Sequence, residues 1–233
     1  MAKKDLNETT DRRRFLGTLA TGAAAVSLAT LTPSMNLHAE ESAVPFTGPD
    51  DPELLFKNLK GKHRAIFDVI EPNAEPMMPF AWARVFLMTN EMTGSKENDV
   101  VMVLRHAGIA YAFQDNAWTK YGFGELFKAM DPATKKTATK NDFWKPAKPY
   151  EVPGIGPVPI AINDLQDSGA HFVVCNVAMT VYSAVIAGMK NMKKEDVYND
   201  LKANLLPNVT IVPSGVWAVG RAQENKCAYF FCG

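Results

Sequence analysis

The stretch HFVVCNVAMTVYS, residues His171 to Ser183, decides how this chain is read. Three apolar residues in a row, Phe172, Val173 and Val174, lead into Cys175, and small and apolar residues follow at once. A run that apolar suits a strand buried on both faces, because a strand with one wet face alternates. The stretch therefore predicts a strand ending on Cys175 and a helix directly after it. In an open α/β sheet the carboxyl ends of strands are where ligands and reactive groups collect. A thiol there, just ahead of a helix N-terminus, sits where the helix dipole favours the thiolate, the form that acts as nucleophile or metal ligand. The plainer reading of Cys175 is a buried structural thiol, as most cysteines in apolar strands are.

Working outward, strands and helices alternate. HRAIFDVI, from His63 to Ile70, predicts a first strand, and residues 77–92 a helix stopped at Gly94. Asp99 to Leu104 predicts a second buried strand, left through a loop at Arg105, His106 and Gly108. A helix is expected over Asn116–Met130, a short one over Ile160–Asp167, and two after Cys175, over Val177–Lys190 and Lys194–Leu205. Strands at Asn208–Val212 and Lys226–Cys232 flank a last helix that starts at Pro213-Ser214-Gly215. This order predicts an α/β fold: a mostly parallel five-stranded sheet with helices on both faces. Residues 131–159 break the pattern with six prolines, two glycines and a cluster of lysines. Loops of that length tend to be lids, binding loops or interface arms.

The N-terminus reads as a targeting segment. Arg12, Arg13, Arg14, Phe15 and Leu16 make the twin-arginine pattern R-R-x-F-L, an uncharged Ala-rich stretch runs to Leu31, and Leu37-His38-Ala39 offers a cleavage site. Residues 1–39 are thus expected to be a Tat signal peptide, with an uncleaved anchor as the alternative, and the mature protein to be periplasmic or otherwise extracytoplasmic. The stretch is too short and too weakly apolar for a dedicated membrane span, so no stable membrane insertion is expected once it is removed. Residues 40–62 read as an N-terminal arm, and 63–233 as one domain. Acidic and basic residues balance at 25 each, and no basic block suits nucleic acid. Three cysteines are too few for a disulfide scaffold and odd in number.

The segments Phe172-Val-Val-Cys175-Asn-Val-Ala-Met, Leu206-Pro-Asn-Val-Thr-Ile-Val-Pro-Ser-Gly215-Val-Trp-Ala-Val, Arg221-Ala-Gln223 and Ala228-Tyr-Phe resemble the DsrE/DsrF-like family of small sulfur-relay proteins. The resemblance covers most of Lys62 to Phe231. It implies a three-layer α/β sandwich, assembly into dimers, trimers or hexamers, and a cysteine that carries sulfur as a persulfide, at the position of Cys175. Its partners would be a sulfur donor and an acceptor, either proteins or small sulfur species.

Beside Cys175, two residues are read from position alone. His106 can move a proton or stabilise a thiolate if its strand neighbours that of Cys175, and Arg105 can hold an anion such as a sulfur oxyacid. The plainer reading satisfies both with loop carbonyls and a nearby carboxylate. His171 lies four residues before Cys175 on the same strand face, but that spacing spans roughly 13 Å at about 3.3 Å per residue, too far for one ion. No metal site is expected, and no cofactor: Gly154-Ile-Gly156 lacks the third glycine and the strand-to-helix setting of a dinucleotide loop. Trp118, Tyr121 and Trp144 are candidates to line a ligand pocket or an oligomer interface, with ordinary core as the alternative. Cys227 reads as core, and Cys232 as an incidental residue or a mobile resolving thiol. The functional expectation is an exported sulfur carrier or thiol-redox protein. Its alternative is a non-enzymatic binding or assembly protein that uses a pocket under the long loop.

Overall fold

A computed structural model describes residues 51–72 and 77–232; the signal segment and residues 40–50 of the arm lie outside the described residues. In chain order the elements are α1 (Pro52–Lys57), β1 (His63–Val69), α2 (Met78–Met92), β2 (Asn98–Leu104), a 3-10 helix (His106–Ala112), α3 (Asp115–Tyr121) and α4 (Phe123–Leu126). There follow β3 (Tyr150–Val152), β4 (Gly156–Val158), α5 (Ile162–Asp167), β5 (His171–Cys175), α6 (Asn176–Lys190), α7 (Lys194–Ala203), β6 (Val209–Val212), α8 (Gly215–Glu224) and β7 (Ala228–Cys232). Five strands form one sheet in the order β6-β5-β2-β1-β7, with every neighbouring pair parallel. β3 and β4 pair antiparallel in a separate ribbon.

The period-two geometry of strands explains the apolar runs. Ala65, Phe67 and Val69 of β1, with Val100, Met102 and Leu104 of β2 and Phe172 and Val174 of β5, face a larger core. Their alternates Ile66, Val101, Val103 and Val173 face a smaller one on the other side. Helices α2 through α7 contribute to the larger core, while α1 and α8 cover the smaller through Phe56, Ala218 and Ala222. The result is a three-layer α/β sandwich. Each large side chain sealed in these layers, such as Phe67 or Phe172, contributes about 1.5–3 kcal/mol of burial.

Four local expectations are corrected. The helix foreseen over Asn116–Met130 stops at Tyr121, because Gly122 takes the left-handed conformation (φ 67°) that ends α3, and only the short α4 follows. The residues after Arg105 are a buried 3-10 helix rather than a loop, with Ala107 through Ala112 all inside. The arm is not separate from the domain: Phe56 and Leu59 are buried in the smaller core, so the domain begins before residue 63. The proline-rich segment, read as one long loop, carries a short antiparallel ribbon and is pinned by side chains. Asn141 donates to the carbonyls of Tyr111 (3.0 Å) and Phe113 (2.9 Å), Tyr150 donates to the carbonyl of Asp142, and the ribbon of β3 and β4 supplies local structure. Arg84 closes its end, giving hydrogen bonds to Pro159 O (2.8 Å), Ser168 Oγ (2.9 Å) and Asp164 O (3.0 Å).

Candidate functional site

The carboxyl edge of the sheet gathers the charged and reactive groups, because each strand there hands over to a helix. β5 ends on Cys175, which is also the N-cap of α6: its Sγ accepts the Ala178 N–H at 3.3 Å. An N–H aimed at sulfur, at the positive end of a helix, stabilises negative charge on it. Cys175 is only 6% exposed, so a reagent reaches it through a narrow opening or after a local movement.

β2 and β5 are direct neighbours with Leu104 opposite Val174, which places Arg105 beside Cys175. Arg105 does not stand free. Its Nε and Nη2 donate to Asp68 Oδ1 (2.6 Å) and Oδ2 (2.8 Å), and Tyr229 Oη donates to Asp68 Oδ2 at 2.7 Å. A Tyr229–Asp68–Arg105 chain thus runs across β7, β1 and β2 on the side of the smaller core. The bond to Asp68 raises the pKa of Arg105 above its ordinary value, with Tyr229 and Cys175 acting more weakly in the same direction. Among the described residues, the Nη1 of Arg105 makes no hydrogen bond, so one edge of the guanidinium still offers donors to an anion. Gly215, the first residue of α8, makes room for the arginine's stem: a Cβ there would lie 2.5 Å from Arg105 Cβ.

His106 is exposed and sits in the left-handed backbone region (φ 50°), which a histidine adopts only where its surroundings fix the turn. Its ring meets Tyr182 of α6 edge-on at 6.2 Å. His106 therefore leans on the helix that Cys175 caps, but among the described residues it hydrogen-bonds neither Cys175 nor Arg105. A polar cleft of about 290 Å³ flanks the start of the same helix, lined by Asn176 and Thr180 of α6 and by Lys194, Glu195, Tyr198 and Asn199.

The aromatic candidates fall elsewhere. Trp118 is 1% exposed and donates its indole N–H to Ala110 O at 3.0 Å. Tyr121 is 3% exposed and donates to Asp200 Oδ2 at 2.7 Å. Both are core side chains with satisfied polar ends, and Trp144 lies half-buried under Lys145. Cys232 is buried in the larger core, contrary to the mobile thiol considered for it, while Cys227 is buried in the smaller. All three cysteines are free. β5 and β7 are not neighbours in the sheet, so Cys175 and Cys227 belong to separate parts of it. His171 opens β5 at the end opposite Cys175. Among the described residues, no group of three or more His, Cys, Asp or Glu side chains is placed to hold a metal ion.

Sequence reasoning passed over Asp68 and Tyr229. The signal for Asp68 was present: a lone carboxylate inside the otherwise apolar strand Ala65 to Val69. Such a residue is buried only with a partner.

No family model and no curated protein matches the chain. Among solved structures, a protein of unknown function from Methanobacterium thermoautotrophicum is similar over 73% of this chain and 99% of its own, at 16% identity and a TM-score of 0.34.

Proposed function

We propose that this chain is a sulfur carrier of the DsrE-like kind, exported by the Tat route to the periplasm, homo-oligomeric, and bearing a persulfide on Cys175. The observation that carries the reading is the cap: the Ala178 N–H points at Cys175 Sγ at 3.3 Å, at the carboxyl edge of an interior strand. With thiosulfate as donor, the Cys175 thiolate attacks the outer sulfur, the S–S bond of thiosulfate breaks, and sulfite leaves with the electron pair. The product is the Cys175 persulfide anion, so charge and atoms balance. An acceptor thiolate then takes the terminal sulfur and returns the Cys175 thiolate. Arg105 supports the step as a positioning group whose free edge faces an incoming anion, and His106 supplies a proton-transfer group beside α6.

The test is intact-mass spectrometry after incubation with thiosulfate or polysulfide, wild type beside Cys175→Ser. A gain of one sulfur atom that the serine variant lacks is expected. No adduct, together with a native Cys175 inert to a small alkylating reagent, would overturn the proposal.

A second reading, a non-enzymatic binding protein on the same fold, is favoured by one observation. An apolar cleft of about 510 Å³ lies between α2 and the proline-rich segment, and neither Cys175, Arg105 nor His106 lines it.

A further inference from the structure

The cleft between α2 and the proline-rich segment has a wall chemistry of its own. Met77, Met78, Trp82 and Val85 line one side, and Met130 and Val152 the other. Its volume of about 510 Å³ falls within the range of small-molecule sites. Three thioethers make a wall that adapts to chains and rings alike, and Trp82 adds a flat apolar face. Trp82, Val85 and Met130 are exposed as they stand, at 41%, 46% and 37%, and Met77, Met78 and Val152 are half-buried, so an apolar occupant would remove from water a surface the fold leaves wet.

Charge at the rim narrows the occupant further. Asp131 and Lys135 both border the cleft. The Asp131 carboxylate is already taken up by its own turn: Oδ1 accepts from Ala133 N (2.8 Å) and Thr134 N (3.2 Å), and Oδ2 from Thr134 Oγ1 (2.8 Å). Lys135 is fixed at the end of that turn, its N–H bonded to Asp131 O at 2.9 Å and its backbone left-handed (φ 57°). Among the described residues its ammonium pairs with no carboxylate. Among the described residues, the cleft therefore presents an apolar trough with one cation at its edge, Lys135, that no carboxylate pairs.

We infer that this cleft binds an amphipathic carboxylate, its apolar chain or ring seated between α2 and the 130–135 turn and its carboxylate on Lys135. The inference names the ligand class of the second reading above and rests on that reading, not on the chemistry of Cys175.

Decanoate below its micelle concentration is the probe, with decyltrimethylammonium as the cationic control of equal chain length. Calorimetry on the purified protein reads affinity, and methyl NMR of labelled methionines reads place. Decanoate is expected to bind more tightly than the cationic control, with shifts concentrated on Met77, Met78 and Met130. Lys135→Gln should weaken decanoate about three- to fivefold, the range of one partly exposed ion pair. Val85→Trp, at a half-exposed position that tolerates bulk, should fill the trough and weaken decanoate by about tenfold or more. Equal or tighter binding of the cation, shifts at other methionines, or decanoate affinity unmoved by Val85→Trp would overturn the inference. Sulfur capture is read by mass and ligand uptake by heat, so a cleft that fails to bind leaves the Cys175 result standing, and the converse holds.

Discussion

Arg105 reaches back one strand and grips Asp68 with two parallel hydrogen bonds, at 2.6 and 2.8 Å. The carboxylate is 1% exposed, whereas the arginine side chain keeps 27% of its surface in solvent. Loss of the arginine leaves a buried charge that, among the described residues, keeps the Tyr229 hydroxyl as its side-chain donor. Breaking a fully buried pair costs about 3–5 kcal/mol, and the partial exposure here lowers that to about 2–3 kcal/mol. Arg105→Met should lose this much in urea denaturation, and Asp68→Asn added to it should restore part. Strictly additive losses in the double-mutant cycle would show that the two residues act independently.

Burial pushes the thiols of Cys227 and Cys232 up, to about 11 and about 12. At pH 8 roughly one Cys227 in a thousand is then a thiolate, too few for fast alkylation. Iodoacetamide should leave both unlabelled in the native protein and modify them once urea unfolds it. Peptide mass mapping across a urea series checks this, and rapid native labelling of either residue would contradict it.

Arg84 is the clamp that holds the end of the proline-rich segment and α5 to α2. Its replacement by methionine keeps the stem but strands the carbonyl of Pro159, while Asp164 O keeps its bonds from Ser168 N (3.2 Å) and Ser168 Oγ (2.8 Å), with an expected loss of about 1–3 kcal/mol. Hydrogen exchange should quicken around residues 159–168 before it does in the central strands. An unchanged exchange pattern would mean the segment is held by packing alone.

Asp142 carries a pH dependence of opposite sign to the usual carboxylate. Burial first, and the nearby Asp131 second, raise its pKa from 3.8 to about 6. The folded state therefore holds this proton more tightly than the unfolded chain does. That contribution to stability is complete below pH 3.8 and is lost as pH rises through about 6. Asp142→Asn should melt like wild type in acid and higher than wild type above pH 6. Melting curves at a series of pH values read the gap, and a gap constant across that window would refute the assignment.

The layered sheet was legible because burial on both faces writes itself into composition: VVMVL in β2 and FVV in β5 leave no room for a wet side. The edge position of Cys175 and Arg105 followed from the same strands, since the ends of apolar runs mark the ends of strands. What the arginine does there was not legible. Asp68 lies 37 positions earlier in the chain, and only the adjacency of β1 and β2 brings the two charges together. Tyr229 is a further step removed, on a strand whose place beside β1 depends on a crossover under the whole sheet. Aromatic content misled in a similar way. Trp118 and Tyr121 carry the same ring chemistry as Trp82, and only tertiary packing decides which face the core and which a cleft. The break at Gly122 turned on one glycine inside a helical pattern, which sequence alone tolerates.

The pairing of β1 with β7, from Ala65 opposite Ala228 to Val69 opposite Cys232, has a consequence for how the protein is made. At about 5–20 residues per second a ribosome needs on the order of ten to thirty seconds to travel between those partners. For that interval β1 is an open edge and Asp68 lacks its tyrosine, so the nascent chain offers a template for wrong strand pairing. A product cut short before Ala228 would keep that edge for good. Such fragments are ready targets for chaperones and proteases.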